Sequence, residues 1–139
     1  MNLFIRALFI FATIPLCVAS SPNDLCFFRM YITNGIEDKI AVHVSKRGGE
    51  DLGNRTLAFN EEFDWKFGVV LFRTYYRGEF WWGSHYKTTS IFNRYVFGNC
   101  FNGNIFAVQR CYWLVKPDGI YLSDNNGTFP DDWNQVERW

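Results

Sequence analysis

His43 and His85 are the side chains of this sequence best suited to acid–base chemistry near neutral pH. With Lys87 supplying a cation for a phosphate, they could form the acid/base couple of a secreted ribonuclease. General-base work requires a proton donor or acceptor within hydrogen-bond reach. No motif supplies one, and the spacing of Lys87 from His85 is commonplace. The plainer reading makes His43 structural, bonded to backbone or to a loop carboxylate. Glu50 and Asp51 could join Asp64 as a carboxylate couple for glycoside hydrolysis. They read more simply as a solvated loop and the water-facing residue of an alternating strand. The acidic residues lack the spacing of an EF-hand. No CxxC is present, and neither histidine has ligand spacing to a cysteine, so the pattern does not point to zinc. The expectation is a non-enzyme with no catalytic residue, no metal and no cofactor.

The elements that would position these side chains read as short strands separated by turns. Phe27 to Thr33 is stopped by Asn34-Gly35, a strong turn pair. In Ile40 to Ser45, the residues Ile40, Val42 and Val44 share one face, and His43 points the other way or into a second layer. Lys46 to Gly53 is a polar, glycine-bearing loop before a strand at Arg55 to Phe59. Phe63-Asp64-Trp65-Lys66-Phe67 alternates without a break, so the three rings face the core. Val69 to Tyr76 is apolar for longer and reads as central in a sheet. Phe80-Trp81-Trp82 opens another strand, and Tyr95 to Phe97 reads as one more. Ala107 to Lys116 and Ile120 to Ser123 flank Pro117-Asp118-Gly119, a hairpin turn. Asp131-Asp132-Trp133 is placed as the start of a short helix. Strands at this spacing predict a single small all-β domain, an antiparallel sandwich of two sheets.

The first residues read as a targeting segment. Arg6 precedes the apolar run Leu8 to Val18, and small residues Ala19, Ser20 and Ser21 follow. That is the layout of a secretory signal peptide over residues 1–20, with the domain over 21–139. The run is too short to span a bilayer and Pro15 interrupts it, so no membrane insertion is expected. The whole chain carries 14 basic and 14 acidic residues. A near-neutral chain lacks the electrostatic footprint of a nucleic-acid partner. Aromatic residues make up 20% of the sequence, and most must be core. Loss of Cys17 with the signal leaves Cys26, Cys100 and Cys111. In an oxidising compartment an odd count implies one bridge plus a spare cysteine that could crosslink two chains as a covalent dimer. The residues alone do not assign the pair. Asn54-Arg55-Thr56 and Asn126-Gly127-Thr128 are N-glycosylation acceptors, placing Asn54 and Asn126 on the surface.

Five segments in order resemble the plant self-incompatibility S1 family, the S-protein homologues first known from poppy stigma. An early strand ends near Asn34. Next come Val42-His43-Val44-Ser45-Lys46 with Glu50-Asp51-Leu52-Gly53, then Phe63-Asp64-Trp65-Lys66-Phe67, Leu71-Phe72-Arg73-Thr74, and Cys111 to Tyr121. Two family cysteines are replaced, by Val44 and Thr74, so a bridge between those positions would be lost whole. Cys111 keeps its family place, and the resemblance implies Cys100 as its partner with Cys26 as the rival. The family's acidic triplet is diluted to Gly48-Gly49-Glu50-Asp51.

The resemblance implies a secreted signalling or recognition protein. It would act as a ligand for a membrane receptor on a plant cell, through surface loops. The recognition residues would be Lys46, Arg47, Glu50 and Asp51 in one loop and Pro117 and Asp118 in another, with Ser84 to Thr89 behind them. Loops vary freely while a rigid scaffold holds them. The alternative is a carbohydrate-binding module. Neighbouring residues of a strand face opposite ways, so Trp81 and Trp82 cannot both enter the core of a one-sided sheet. The exposed ring could stack on a sugar, with Tyr75, Tyr76 and Tyr86 extending the patch and Trp133 and Trp139 supplying cover.

Overall fold

The computed structural model describes residues 26–70 and 72–139. The expected signal peptide, Cys17 and Leu71 lie outside them. Nine strands and one helix follow in chain order among these residues. The strands are β1 (Cys26–Asn34), β2 (Ile40–Lys46), β3 (Asp51–Leu57), β4 (Glu62–Val69), β5 (Tyr76–Trp82) and β6 (His85–Phe92). The helix α1 (Arg94–Cys100) precedes β7 (Gln109–Lys116), β8 (Gly119–Ser123) and β9 (Asn134–Glu137). One sheet has the order β4-β1-β7-β8-β9 and the other β3-β2-β5-β6. The two-sheet all-β sandwich is as the strand pattern predicts. Its pairs are antiparallel with one exception: β1 runs parallel to β7. The chain leaves β1, builds β2 and β3, returns for β4, and builds β5, β6 and α1 before β7 enters beside β1. Only a long crossover of this kind permits a parallel neighbour.

Period-two alternation decides what is buried. Phe28, Met30 and Ile32 of β1, Val42 and Val44 of β2, Phe80 of β5 and Trp113 and Val115 of β7 are fully buried and belong to one core cluster. Phe28 packs on Phe92 with ring centroids 5.0 Å apart and on Phe97 at 5.4 Å. Phe67 lies 5.1 Å from Phe92 and 4.6 Å from Tyr76. Trp65 is sandwiched between Phe63 and Phe67, at 5.1 and 6.0 Å. Each buried ring of this size contributes roughly 1.5–3 kcal/mol of transfer free energy. The rings thus fasten β1, β4, β5, β6 and α1 together.

Several boundaries differ from the sequence reading. Val69 to Tyr76 is not a central strand. After β4 the chain turns: Arg73 and Thr74 both donate their N–H to Val70 O at 3.0 Å, and Thr74 Oγ1 accepts from Val70 N at 2.8 Å. The hydroxyl gives the backbone a local partner in place of a ladder. Phe72 takes φ +70° and stands 63% exposed. Tyr95 to Phe97 is helix rather than strand, because Asn93 Oδ1 caps it by accepting from Val96 N at 2.9 Å. Val96 and Cys100, four apart, share its buried face. Ser84 to Thr89 is largely the edge strand β6, not a loop. β3 begins at Asp51, so the polar loop is shorter than expected. Asp131 to Trp133 is a turn ahead of β9, not a helix.

The Pro117-Asp118 hairpin turn is as read, with Lys116 paired to Gly119 across it. Gly119 has no side chain because β9 lies directly over it: a Cβ there would collide with the carbonyl oxygen of Glu137. Cys100 and Cys111 form a disulfide that ties the end of α1 to β7. Among the described residues no cysteine is a free thiol.

Candidate functional site

His43 projects from β2 onto the outer face of the four-stranded sheet, because Val42 and Val44 on either side of it point inward. Register places Glu79 of β5 directly opposite. The β2–β3 pairing shifts register between His43 and Ser45, and this irregularity brings Asp51 to the other side of the ring. Nδ1 lies 3.0 Å from Glu79 Oε1 and Nε2 lies 2.7 Å from Asp51 Oδ1. Gly53 N donates to the same Asp51 oxygen at 2.8 Å, and Tyr86 Oη donates to Glu79 Oε2 at 2.6 Å. Asp51, His43, Glu79 and Tyr86 therefore form a polar chain across β3, β2, β5 and β6, every strand of that sheet.

The electrostatics follow from these contacts. The hydrogen bond to Asp51, then that to Glu79, raises the His43 pKa above its ordinary 6.5. The Gly53 N–H, then His43, lowers that of Asp51. The Tyr86 hydroxyl, then His43, lowers that of Glu79. An imidazolium with both N–H groups donating is the form this cradle favours. Both ring nitrogens are occupied, so His43 has no lone pair aimed at a substrate. The loop-carboxylate reading of His43 describes it, with a second carboxylate that the sequence did not reveal.

A stability prediction follows. Because the folded His43 pKa is raised, its contribution is complete below about pH 6.5 and is lost as pH rises through the folded value. The two carboxylates have lowered pKa values, so their contribution is present above about pH 4 and is lost as pH falls through theirs. Arg77, beside Glu79, reinforces that lowering. The thermal midpoint should fall between pH 6 and pH 8, and His43→Gln should flatten that limb. A variant retaining the full slope would contradict the assignment.

The other acid–base candidates are not brought together. His85 sits at the β5–β6 turn, stacked on Trp82 at 4.9 Å, with Nδ1 3.2 Å from Trp82 O. Glu79 and Trp82 are three positions apart on β5, about 10 Å along the strand. Asp64 lies on the other sheet, paired with Arg29 at 2.6 Å, so it forms no couple with Glu50 or Asp51. Among the described residues no group of three or more His, Cys, Asp or Glu side chains is placed to hold a metal.

The two tryptophans separate as strand geometry requires. Trp81 lies outward against Tyr86, centroids 5.3 Å apart. Trp82 turns inward and is partly covered by Trp139 at 5.8 Å, while its Nε1 donates to Asp38 Oδ2 at 3.3 Å. Tyr76, expected in the same patch, is instead fully buried in the core. Trp133 covers neither tryptophan; its Nε1 donates to Gly127 O.

The two expected recognition loops lie at opposite ends of the sandwich. Lys46, Arg47 and Glu50 form the β2–β3 turn, where Arg47 N donates to Tyr75 O at 2.9 Å. Pro117 and Asp118 lie by the β1–β2 loop, where Gly35 N donates to Val115 O at 2.8 Å. The length of β2, about 20 Å, separates those ends. Asn54 and Asn126 are both exposed. Asn54 is directly opposite His43 on β3, an edge strand.

Residues 29–139 match the family model described as plant self-incompatibility protein S1. A solved structure of SPH (self-incompatibility protein homologue) proteins, described as a widespread family of small, highly stable, secreted proteins from plants, aligns with a TM-score of 0.59. The identity is 16%, over 83% of this chain and 96% of that one. No curated protein matches the sequence.

Proposed function

This chain belongs to the plant self-incompatibility protein S1 family, and from that premise we propose that it is a secreted, non-catalytic ligand read by a receptor in a plant cell membrane. Residues 1–20 direct export and are removed, and Asn54 and Asn126 carry glycans. A glycan on Asn54 shields the free edge of β3 from pairing with another chain.

The observation that carries the reading is the anchoring of the β2–β3 turn. The side chains of Arg47, Glu50 and Asp51 are exposed, yet its backbone is closed by Lys46 N to Glu50 O at 2.9 Å and Gly49 N to Lys46 O at 3.1 Å. Gly48 takes φ +64°, which glycine adopts without strain. Asp51, at the end of the turn, is tied to His43 and hence to the sheet. Charged groups held in a fixed loop lose less entropy on binding than mobile ones. The turn of Pro117 and Asp118 is a separate surface at the other end.

Exchange of residues 46–51 for a neutral loop of equal length should abolish binding of the labelled protein to plant cells, while exchange of 117–118 should leave part of it. Retention of full binding by the 46–51 exchange would remove the turn from recognition. The second reading is carbohydrate binding, favoured by the outward Trp81–Tyr86 pair. It predicts retention on wall polysaccharide and tryptophan quenching by an oligosaccharide, both lost in Trp81→Ala.

A further inference from the structure

At the Arg47 end of the sandwich a cleft of about 440 Å³ opens between the β2–β3 turn, the β4–β5 turn and the β6–α1 junction. Its lining includes the apolar side chains of Val69, Phe92 and Phe97. Two guanidinium groups also line it. Arg47 lies over the Tyr75 ring, Cζ to centroid 4.1 Å, and Arg94 lies over Phe72 at 4.5 Å. Stacking restrains both forks while leaving their N–H edges unused. The ion pairs of the described residues involve Arg29 and His43, so neither Arg47 nor Arg94 meets a carboxylate. Tyr75 is held in turn by its hydroxyl, 2.6 Å from Ser90 Oγ.

We infer that this cleft binds a small amphipathic anion, an aromatic or acyl carboxylate whose body enters between the rings and whose head meets Arg47 and Arg94. Its volume falls within the range of about 300–1,000 Å³ usual for small-ligand sites. Charge complementarity fixes the sign of the ligand, since among the described residues two cations without an ion pair flank a partly apolar lining that contains no acid. The exposed Phe72 ring finds its use here as one wall of the site. The inference does not rest on receptor recognition by the β2–β3 turn: Arg94 lies outside that turn and can be changed alone.

The test is a fluorescence titration of the secreted protein with 8-anilinonaphthalene-1-sulfonate, an anionic aromatic probe. Decanoate and phenylacetate serve as competitors, and decanol and benzyl alcohol as their uncharged counterparts. The probe should brighten on binding, and the two carboxylates should displace it where the alcohols do not. Whichever carboxylate competes at lower concentration distinguishes an acyl from an aromatic ligand. Arg47→Gln and Arg94→Gln should each weaken binding about tenfold, the effect of losing one charge-assisted hydrogen bond. Both residues are exposed, so an unchanged melting curve controls for folding. Equal affinity in the double variant, equal competition by the alcohols, or absence of binding at millimolar probe would overturn the inference. Displacement by an acidic peptide but by neither carboxylate would assign the cleft to a protein partner and overturn it as well.

Discussion

Phe28→Ala should cost about 3–5 kcal/mol, a large share of the about 5–15 kcal/mol that holds a domain folded. Phe28 is fully buried on β1, the strand between β4 and β7. Its ring touches Phe67 on the same sheet, Phe92 on the opposite sheet and Phe97 on the helix. Truncation therefore opens a cavity where three elements meet, and rings on separate strands cannot all move in to fill it. Urea unfolding followed by tryptophan fluorescence would measure the loss. A cost below about 1.5 kcal/mol would mean that the site collapses and that the ring cluster is not what joins the sheets. Phe72→Ala supplies the contrast: Phe72 is largely exposed, and its loss should stay within about 0.5 kcal/mol.

Replacing Cys100 and Cys111 together by alanine should cost about 3 kcal/mol by the loop-closure relation. The bridge spans 11 residues of sequence and fixes α1 against β7. Phe97 and Phe101 of that segment pack on one another at 5.1 Å, and Phe97 also reaches Phe28. Loosening α1 should therefore weaken one wall of the aromatic cluster as well as free the unfolded chain. The double variant should melt lower and lose hydrogen-exchange protection first in α1. Equal stability of the oxidised protein and the variant would show that packing alone holds the helix.

The sequence revealed the sandwich because several of its strands alternate clearly. Phe63-Asp64-Trp65-Lys66-Phe67 and Val42-His43-Val44 announce which face each residue takes. It misled where local chemistry overrides that pattern. The apolar run from Val69 to Tyr76 reads as strand, yet the Thr74 hydroxyl closes a turn inside it. The rings of Tyr95 and Phe97 suggest a strand, but the Asn93 cap starts a helix. The cap was the one available signal, an Asn directly ahead of a run with helical spacing of Val96 and Cys100.

The parallel β1–β7 pair had no local signal at all, since it depends on how the intervening strands divide between two sheets. For the same reason Glu79 was invisible as a partner of His43. The two are 36 residues apart, and only the β2–β5 register sets them side by side. The pairing of Arg94 with Phe72 was hidden in the same way, because it joins a turn and a helix that the strand pattern misassigned. Residue types suggested which loops are polar, but the separation of the 46–51 and 117–118 turns to opposite ends required the topology.

Hydroxyl-radical footprinting of the protein bound to plant plasma-membrane vesicles bears most directly on the anchored turn as the surface a receptor reads. Side chains from Lys46 to Asp51 should become protected on binding, with Trp81 and Tyr86 unchanged. Protection confined to Trp81 and Tyr86, or no protected residue at saturation, would contradict it.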